Sequence, residues 1–177
     1  LVTAGYDRTV INYSIENYSI NDVLVNGEVM KAIALPGVLM PGTEGAPDLP
    51  SEGRYIAIPK GASVSARILS SNTSVLEGLN IAPAPAIPTG KDDGPLHYMP
   101  DPEIYAQDAF YPASPVMVSE VTSIRGLDVV VVEIFPFRYN PVTGQLEVNQ
   151  QIEIEVTHAG GQGVIGEERR RSRRWDP

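Results

Sequence analysis

Sixteen prolines and sixteen glycines are spread along the whole of this 177-residue chain. Proline in a helix interior removes a hydrogen bond and clashes with the preceding turn, and glycine there is also unfavourable. Few uninterrupted windows reach about 12 residues, the length of an ordinary helix. Whatever core the chain builds must therefore come from short extended segments joined by turns.

Strand patterns recur where that constraint allows them. "RTVINYSIENYSI" (8–20) alternates, with Val10 and Asn12 followed by Tyr13 and Ile15, and is rich in β-branched and aromatic residues. "DVLVNGEVMKAIAL" (22–35) places Asn26-Gly27 between two apolar runs, a strong two-residue hairpin signal. "RYIAIP" and "ASVSARILSS" read as strands joined at Pro59-Lys60-Gly61, with Val64, Ala66 and Ile68 on one face and Ser63, Ser65 and Arg67 on the other. Later, "VMVSEVTSIRGLDVVVVEIFPF" (116–137) predicts a strand, a turn at Arg125-Gly126 and a central strand over Val129 to Phe135. A turn over Tyr139 to Gly144 follows. Leu146, Val148, Ile152, Ile154 and Val156 then alternate with Glu, Asn and Gln positions that are expected to face water. About ten strands with turn signals every 8 to 12 residues predict an all-β fold, an antiparallel β-sandwich of jelly-roll or Ig-like type.

Residues 81–115 interrupt this pattern. They hold eight of the sixteen prolines and show no alternation, so they are expected to form a long proline-rich surface loop of extended, polyproline-like backbone. The expected organisation is a sandwich domain over 1–158, containing that loop, and a flexible basic linker or processing tail over 159–177, which is glycine-rich and then charged.

Composition excludes several functions. The chain has no cysteine, which removes disulfides, a thiolate zinc site and a cysteine nucleophile from its own repertoire. No apolar run is long enough to span a membrane. Three Asn-X-Ser/Thr sequons at Asn12, Asn17 and Asn72 carry little information on their own. The chain starts at Leu1 without a basic-then-apolar leader, which suggests either a product of signal-peptide removal or a piece of a longer chain. Five of the 13 basic residues lie in "RRRSRR" (169–174), so residues 1–168 hold 8 basic against 21 acidic side chains, a net of −13. Such a body repels nucleic acid phosphates and favours a basic partner; the plainer alternative is an ordinary solvated acidic surface.

Catalytic signals are thin. His97 and His158 have no neighbour at ligand spacing, and no nucleophile elbow, phosphate loop or dinucleotide fingerprint occurs. The acidic "KDDG" and "PDPE" clusters lack the calcium-loop pattern. The reading is therefore of a chain that is not an enzyme and takes no cofactor and no metal. Two features point instead to a protease as partner. Arg169, Arg170, Arg171, Arg173 and Arg174, in an exposed linker, suit cleavage by an Arg-specific or furin-like enzyme, the alternative being a basic tether. Lys91, flanked by Thr89, Gly90, Asp92 and Asp93, is the only basic residue between Arg67 and Arg125. A stiff loop carrying one long cation suits presentation to an acidic specificity pocket at low entropic cost, although it is also compatible with an ordinary turn lysine.

Three stretches carry a family resemblance: "EGAPDLPSEGRYIAIPKGASVSARIL" (44–69), "LNIAPAPAIP" (79–88) and "DAFYPASPVMVSEVTSIRGLDVVVVEIFPFRYNPVTGQLEV" (108–148). In order and spacing they resemble the N-terminal propeptides of gingipain-type cysteine proteases, the C25 family related to caspases, over roughly residues 44–156. The resemblance implies a β-sandwich prodomain of a bacterial protein, secreted or held in the periplasm or at the cell surface after signal-peptide removal and exported through a type IX system. It implies that the prodomain helps its protease fold and keeps it latent, as a monomer or a 1:1 complex, by inserting a loop with a basic side chain into the specificity pocket. Here that loop falls between Ile87 and Tyr98 with Lys91 as the pocket residue, and the arginine tail is the junction cut on activation. The competing reading is a cell-surface binding or structural module, an adhesin domain or fibre subunit. A carbohydrate-active β-sandwich enzyme is disfavoured because no convergent carboxylate pair is evident.

Overall fold

The computed structural model describes residues 2–4, 7–38, 42–86 and 96–162. Within them the chain forms eleven strands and one helical turn: β1 (Val2–Ala4), β2 (Arg8–Ser14), β3 (Ser19–Val25), β4 (Glu28–Ala34), β5 (Glu52–Ile58), β6 (Ser63–Leu76), α1 (Pro102–Tyr105), β7 (Val116–Val118), β8 (Thr122–Ile124), β9 (Leu127–Ile134), β10 (Phe137–Asn140) and β11 (Gln145–Ala159). All strand pairings between them are antiparallel.

The fifteen-residue β11 organises the larger sheet. β6 pairs with it from Leu146 to Ala159. Its other edge is shared: β10 pairs with its first residues, and β2, followed by β1, with its last. The partner changes around Gln150, which is unpaired with β6 at a register shift between Asn149 and Gln151, and whose carbonyl accepts from the Ile15 N–H at 3.0 Å. Leu146 and Val148 thus feed one core cluster, and Ile152, Ile154 and Val156 another.

A four-stranded sheet centred on β9 covers the second of these clusters. β5 pairs along one edge of β9, while β7 and β8 divide the other. Val132 and Ile134 of β9 pack on Ile11, Tyr13, Ile152, Ile154 and Val156, which makes the two sheets a face-to-face sandwich. The first cluster is covered by the β3–β4 hairpin and a buried stretch of non-strand chain: Ile33, Leu49 and Ile81 pack on Phe137, Tyr139, Leu146 and Val148. Tyr18 meets the Phe137 ring edge-on at 5.2 Å between centroids.

Several sequence expectations are corrected. The turn before β11 is tighter than predicted, because Tyr139 and Asn140 are paired residues of β10 opposite Leu146 and Gln145. The Asn140 side-chain oxygen accepts from the N–H groups of Val142 and Thr143, closing the turn around Pro141. In β2 the buried residues are Thr9, Ile11 and Tyr13, with Val10 and Asn12 on the opposite face. Not every polar position of β11 faces water. Asn149 is buried, with its side-chain oxygen accepting from Thr73 Oγ1 at 2.8 Å, and Glu155 is buried beneath Arg67 (Nε to Oε2, 2.6 Å) and Arg8 (Nη1 to Oε1, 3.2 Å). Residues 81–115 are not one surface loop either. Ile81 to Ala84 are buried, and Pro102–Tyr105 forms a helical turn capped by Asp101, whose Oδ1 accepts from the Glu103 N–H at 2.8 Å. The acidic "PDPE" motif is thus a capping signal, with proline at the first helical position where its missing N–H is harmless.

Candidate functional site

The segment proposed to leave the sandwich as a loop lies between two limbs, residues 80–86 and 96–101. The first limb can be buried because its backbone groups are paired. The Lys31 N–H donates to the Asn80 carbonyl at 2.7 Å, Ala82 N–H to Lys31 at 2.9 Å, Asp48 N–H to Ala82 at 2.9 Å, and Ala84 N–H to Ala46 at 2.7 Å. An Ala-Pro alternation, small and unable to donate at proline, suits a strand-like stretch wedged between two neighbours. Two tyrosine hydroxyls bind it further: Tyr105 donates to the Ile81 carbonyl at 3.1 Å and Tyr139 to Leu79 at 2.8 Å.

The limbs meet at one point. The Ala86 N–H donates to the His97 carbonyl at 3.0 Å, closing a base between the two limbs. Gly45 joins the limbs a step lower, donating to Ala84 at 3.0 Å and accepting from the Asp101 N–H at 2.8 Å. It does so at a φ of +80°, and a Cβ there would lie 2.9 Å from the Met99 carbonyl oxygen, so both conformation and space require glycine. The Asn26-Gly27 turn, with φ values of 50° and 87°, carries a second latch, Asn26 Nδ2 donating to the Tyr98 carbonyl at 2.9 Å.

This base has no nucleophile–base pair, and among the described residues no group of three or more His, Cys, Asp or Glu side chains could hold a metal ion. Burial pushes the Asp48 carboxyl above the usual carboxylate range, and pushes the hydroxyls of Tyr105 and Tyr139 upward as well. The two tyrosine hydroxyls thus remain protonated donors, suited to holding backbone in place. His97 is exposed, and the backbone N–H of His158 donates to the Asp7 carbonyl.

The residues singled out from the sequence, Thr89, Gly90, Lys91, Asp92 and Asp93, and Arg169, Arg170, Arg171, Arg173 and Arg174, lie outside the described residues. Sequence reasoning did not find the base itself. Asn26 was legible as a turn residue but not as a latch to a chain 72 positions away, and nothing local marks Gly45 as the link between two limbs.

The sequence profile of the Propeptide_C25 family matches residues 4–171. The chain belongs to that family. As a C25 propeptide it is the non-catalytic part of a protease precursor, and its all-β fold agrees with the family. It is 28% identical over 130 residues to Lys-gingipain from Porphyromonas gingivalis, an alignment that takes in 70% of this chain and 8% of the relative, so the propeptide spans a small fraction of that protein's length. Its fold is similar to that in a solved complex of the pro- and mature domains of RgpB from the same organism. The TM-score is 0.80 at 22% identity, over 93% of this chain and 87% of that one. It is also similar to a structure addressing the zymogenic latency of gingipain K from P. gingivalis, with a TM-score of 0.73 at 23% identity, over 90% of this chain and 91% of the other.

Proposed function

We propose that this propeptide holds a caspase-like, Lys/Arg-specific cysteine protease domain of its own precursor latent, and assists its folding, by presenting residues 87–95 to the active-site cleft with Lys91 in the specificity pocket. The observation that carries the reading is the closed base: Ala86 and His97 are hydrogen-bonded to each other and the two limbs share Gly45. An inhibitor gains affinity when the bound geometry is prepaid in its own fold, and flanks pinned to each other and to buried chain serve that requirement. Thr89, Gly90, Asp92 and Asp93 would flank the lysine. Residues 159–177 would form the processing tail, cut among Arg169, Arg170, Arg171, Arg173 and Arg174, in a secreted or surface-held bacterial precursor. The first part of this tail is paired to the sandwich, since the Gln162 N–H donates to the Lys60 carbonyl at 3.0 Å.

The test is inhibition of the separately produced protease domain by the purified propeptide. Lys91→Ala should raise the inhibition constant by roughly 30-fold or more, the loss expected of an anchor worth about 2 kcal/mol, while Lys91→Arg should retain much of it in an enzyme that accepts both cations. Equal inhibition by parent and Lys91→Ala would remove Lys91 from the pocket. The adhesin or fibre-subunit reading has no observation in its favour beyond the β-sandwich itself.

A further inference from the structure

We propose that the outer face of the four-stranded sheet is the surface on which the protease domain of the same precursor docks, independently of the cleft. The inference rests on the propeptide reading above but not on the identity of the pocket residue.

The two outer faces of the sandwich differ in chemistry. In the four-stranded sheet, Ile56, Ile58, Val130, Val132 and Ile134 point into the core. The alternation therefore turns Tyr55, Ala57 and Val131 outward, while Val129, on the same side of the strand, is buried. The register sets Tyr55 opposite Val131 and Met117 opposite Glu133, and Ile124 joins from β8. Tyr55 is 71% exposed, Met117 49% and Ile124 45%. Glu133 is the one charged side chain that this register places among them, in a chain whose body is strongly acidic. The outer face of the larger sheet is more polar and largely paired within itself, Ser65 with Thr157, Ser70 with Glu153 and Arg67 with Glu155, with Val75, 50% exposed opposite Glu147, as an apolar exception. An apolar sheet face led by a protruding tyrosine is what a protein partner selects, because such a side chain supplies large contact area with few rotors to freeze.

Chain geometry identifies the occupant. β5 follows directly on residues 45–49, which hold the loop base, and ends at Ile58, two residues before Lys60, whose carbonyl accepts from Gln162, the last described residue. Seven residues of strand at roughly 3.3 Å each span about 23 Å. A domain held by the loop at one end and joined through the tail at the other thus has the β5 face lying between its two attachments. β6, fourteen residues long, flanks the other sheet, but most of the side chains it turns outward are polar and paired. A second copy of the chain has no such tether.

The experiment measures binding of the propeptide to the protease domain of the same precursor after its active-site cysteine has been blocked by an irreversible, cleft-filling inhibitor. The parent should still bind, with slowed amide exchange in β5 and β9. Tyr55→Ser/Met117→Ser, checked by circular dichroism, should weaken that binding about tenfold or more, as loss of an interface anchor does, and Lys91→Ala should bind the blocked enzyme like the parent. If the parent fails to bind the blocked enzyme, or the double variant binds it within about twofold of the parent, the docking face is wrong. A concentration-dependent dimer of the free propeptide that the double variant abolishes, with no loss of protease binding, would reassign the face to a second copy. Should the double variant lose its fold, Tyr55→Ser alone serves, since Tyr55 stands out from the sheet. A result in which Lys91→Ala inhibits like the parent while Tyr55→Ser does not bind would overturn the pocket residue and leave the docking face standing.

Discussion

Two carboxylates show how one residue type can oppose or support the fold according to its surroundings. Burial raises the Asp48 carboxyl in the folded protein, so its ionised form is less favourable there than in the unfolded chain. Its contribution to stability is complete at acid pH, below the unfolded carboxylate range, and is lost as pH rises through the raised value. Asp48→Asn should therefore raise the denaturation midpoint at pH 7 and bring little gain near pH 3, as read from urea titrations at the two pH values; an equal gain at both would dismiss burial as the cause. Glu155 behaves oppositely. The Arg67 guanidinium hydrogen-bonded to it, helped by Arg8, holds its carboxyl below the usual range despite its burial. Its contribution is present above the unfolded value and disappears as pH falls through the lowered one. Neither environment was legible in the sequence, because Arg8 and Glu155 lie 147 positions apart and come together only through the β2–β11 register.

At the scale of elements, β11 and the loop base carry different parts of the molecule. Ile154 is fully buried between the two sheets, and truncating such a side chain removes its transfer free energy and leaves a cavity. Ile154→Ala should lower unfolding free energy by about 2–5 kcal/mol in a denaturant titration, a large share of the stability of a domain this size. Gly45→Ala should act locally, with strain of about 1–3 kcal/mol from a left-handed backbone that crowds a carbonyl. Amide exchange at Ala84, Ala86 and Asp101 should accelerate while β11 amides stay protected; uniform acceleration across both would mean that the base and the sandwich open together. The strands themselves were largely legible, because alternation and the Asn26-Gly27 and Arg125-Gly126 turns are local signals. The buried stretch Ile81–Ala84 was not. Proline-rich composition points to irregular backbone, but partners from β4 and residues 46–48 decide whether that backbone meets water.

For the whole molecule, charge and shape act together. Residues 1–168 carry a net charge of −13, and a long-range field of that sign speeds approach to a basic surface while adding less to the final contact. Raising salt from about 0.05 M to 1 M shortens the screening length from roughly 14 Å to 3 Å and should slow association with the protease domain by tenfold or more, with a much smaller change in the dissociation rate. A salt-independent association rate, measured by stopped flow, would remove the field from the mechanism. By itself the sequence determined the all-β class, most turns, the absence of cysteine chemistry and the family, because periodicity, turn dipeptides and ordered motifs are properties of neighbouring residues. Only the tertiary structure decided that one sandwich face is more apolar than the other, that Glu155 is buried under two arginines, and that Gly45, Ala86 and His97 tie residues 80–86 to residues 96–101. Each of these depends on which distant strands become neighbours, and pairing across the chain is set by burial of the whole core, which no local pattern encodes.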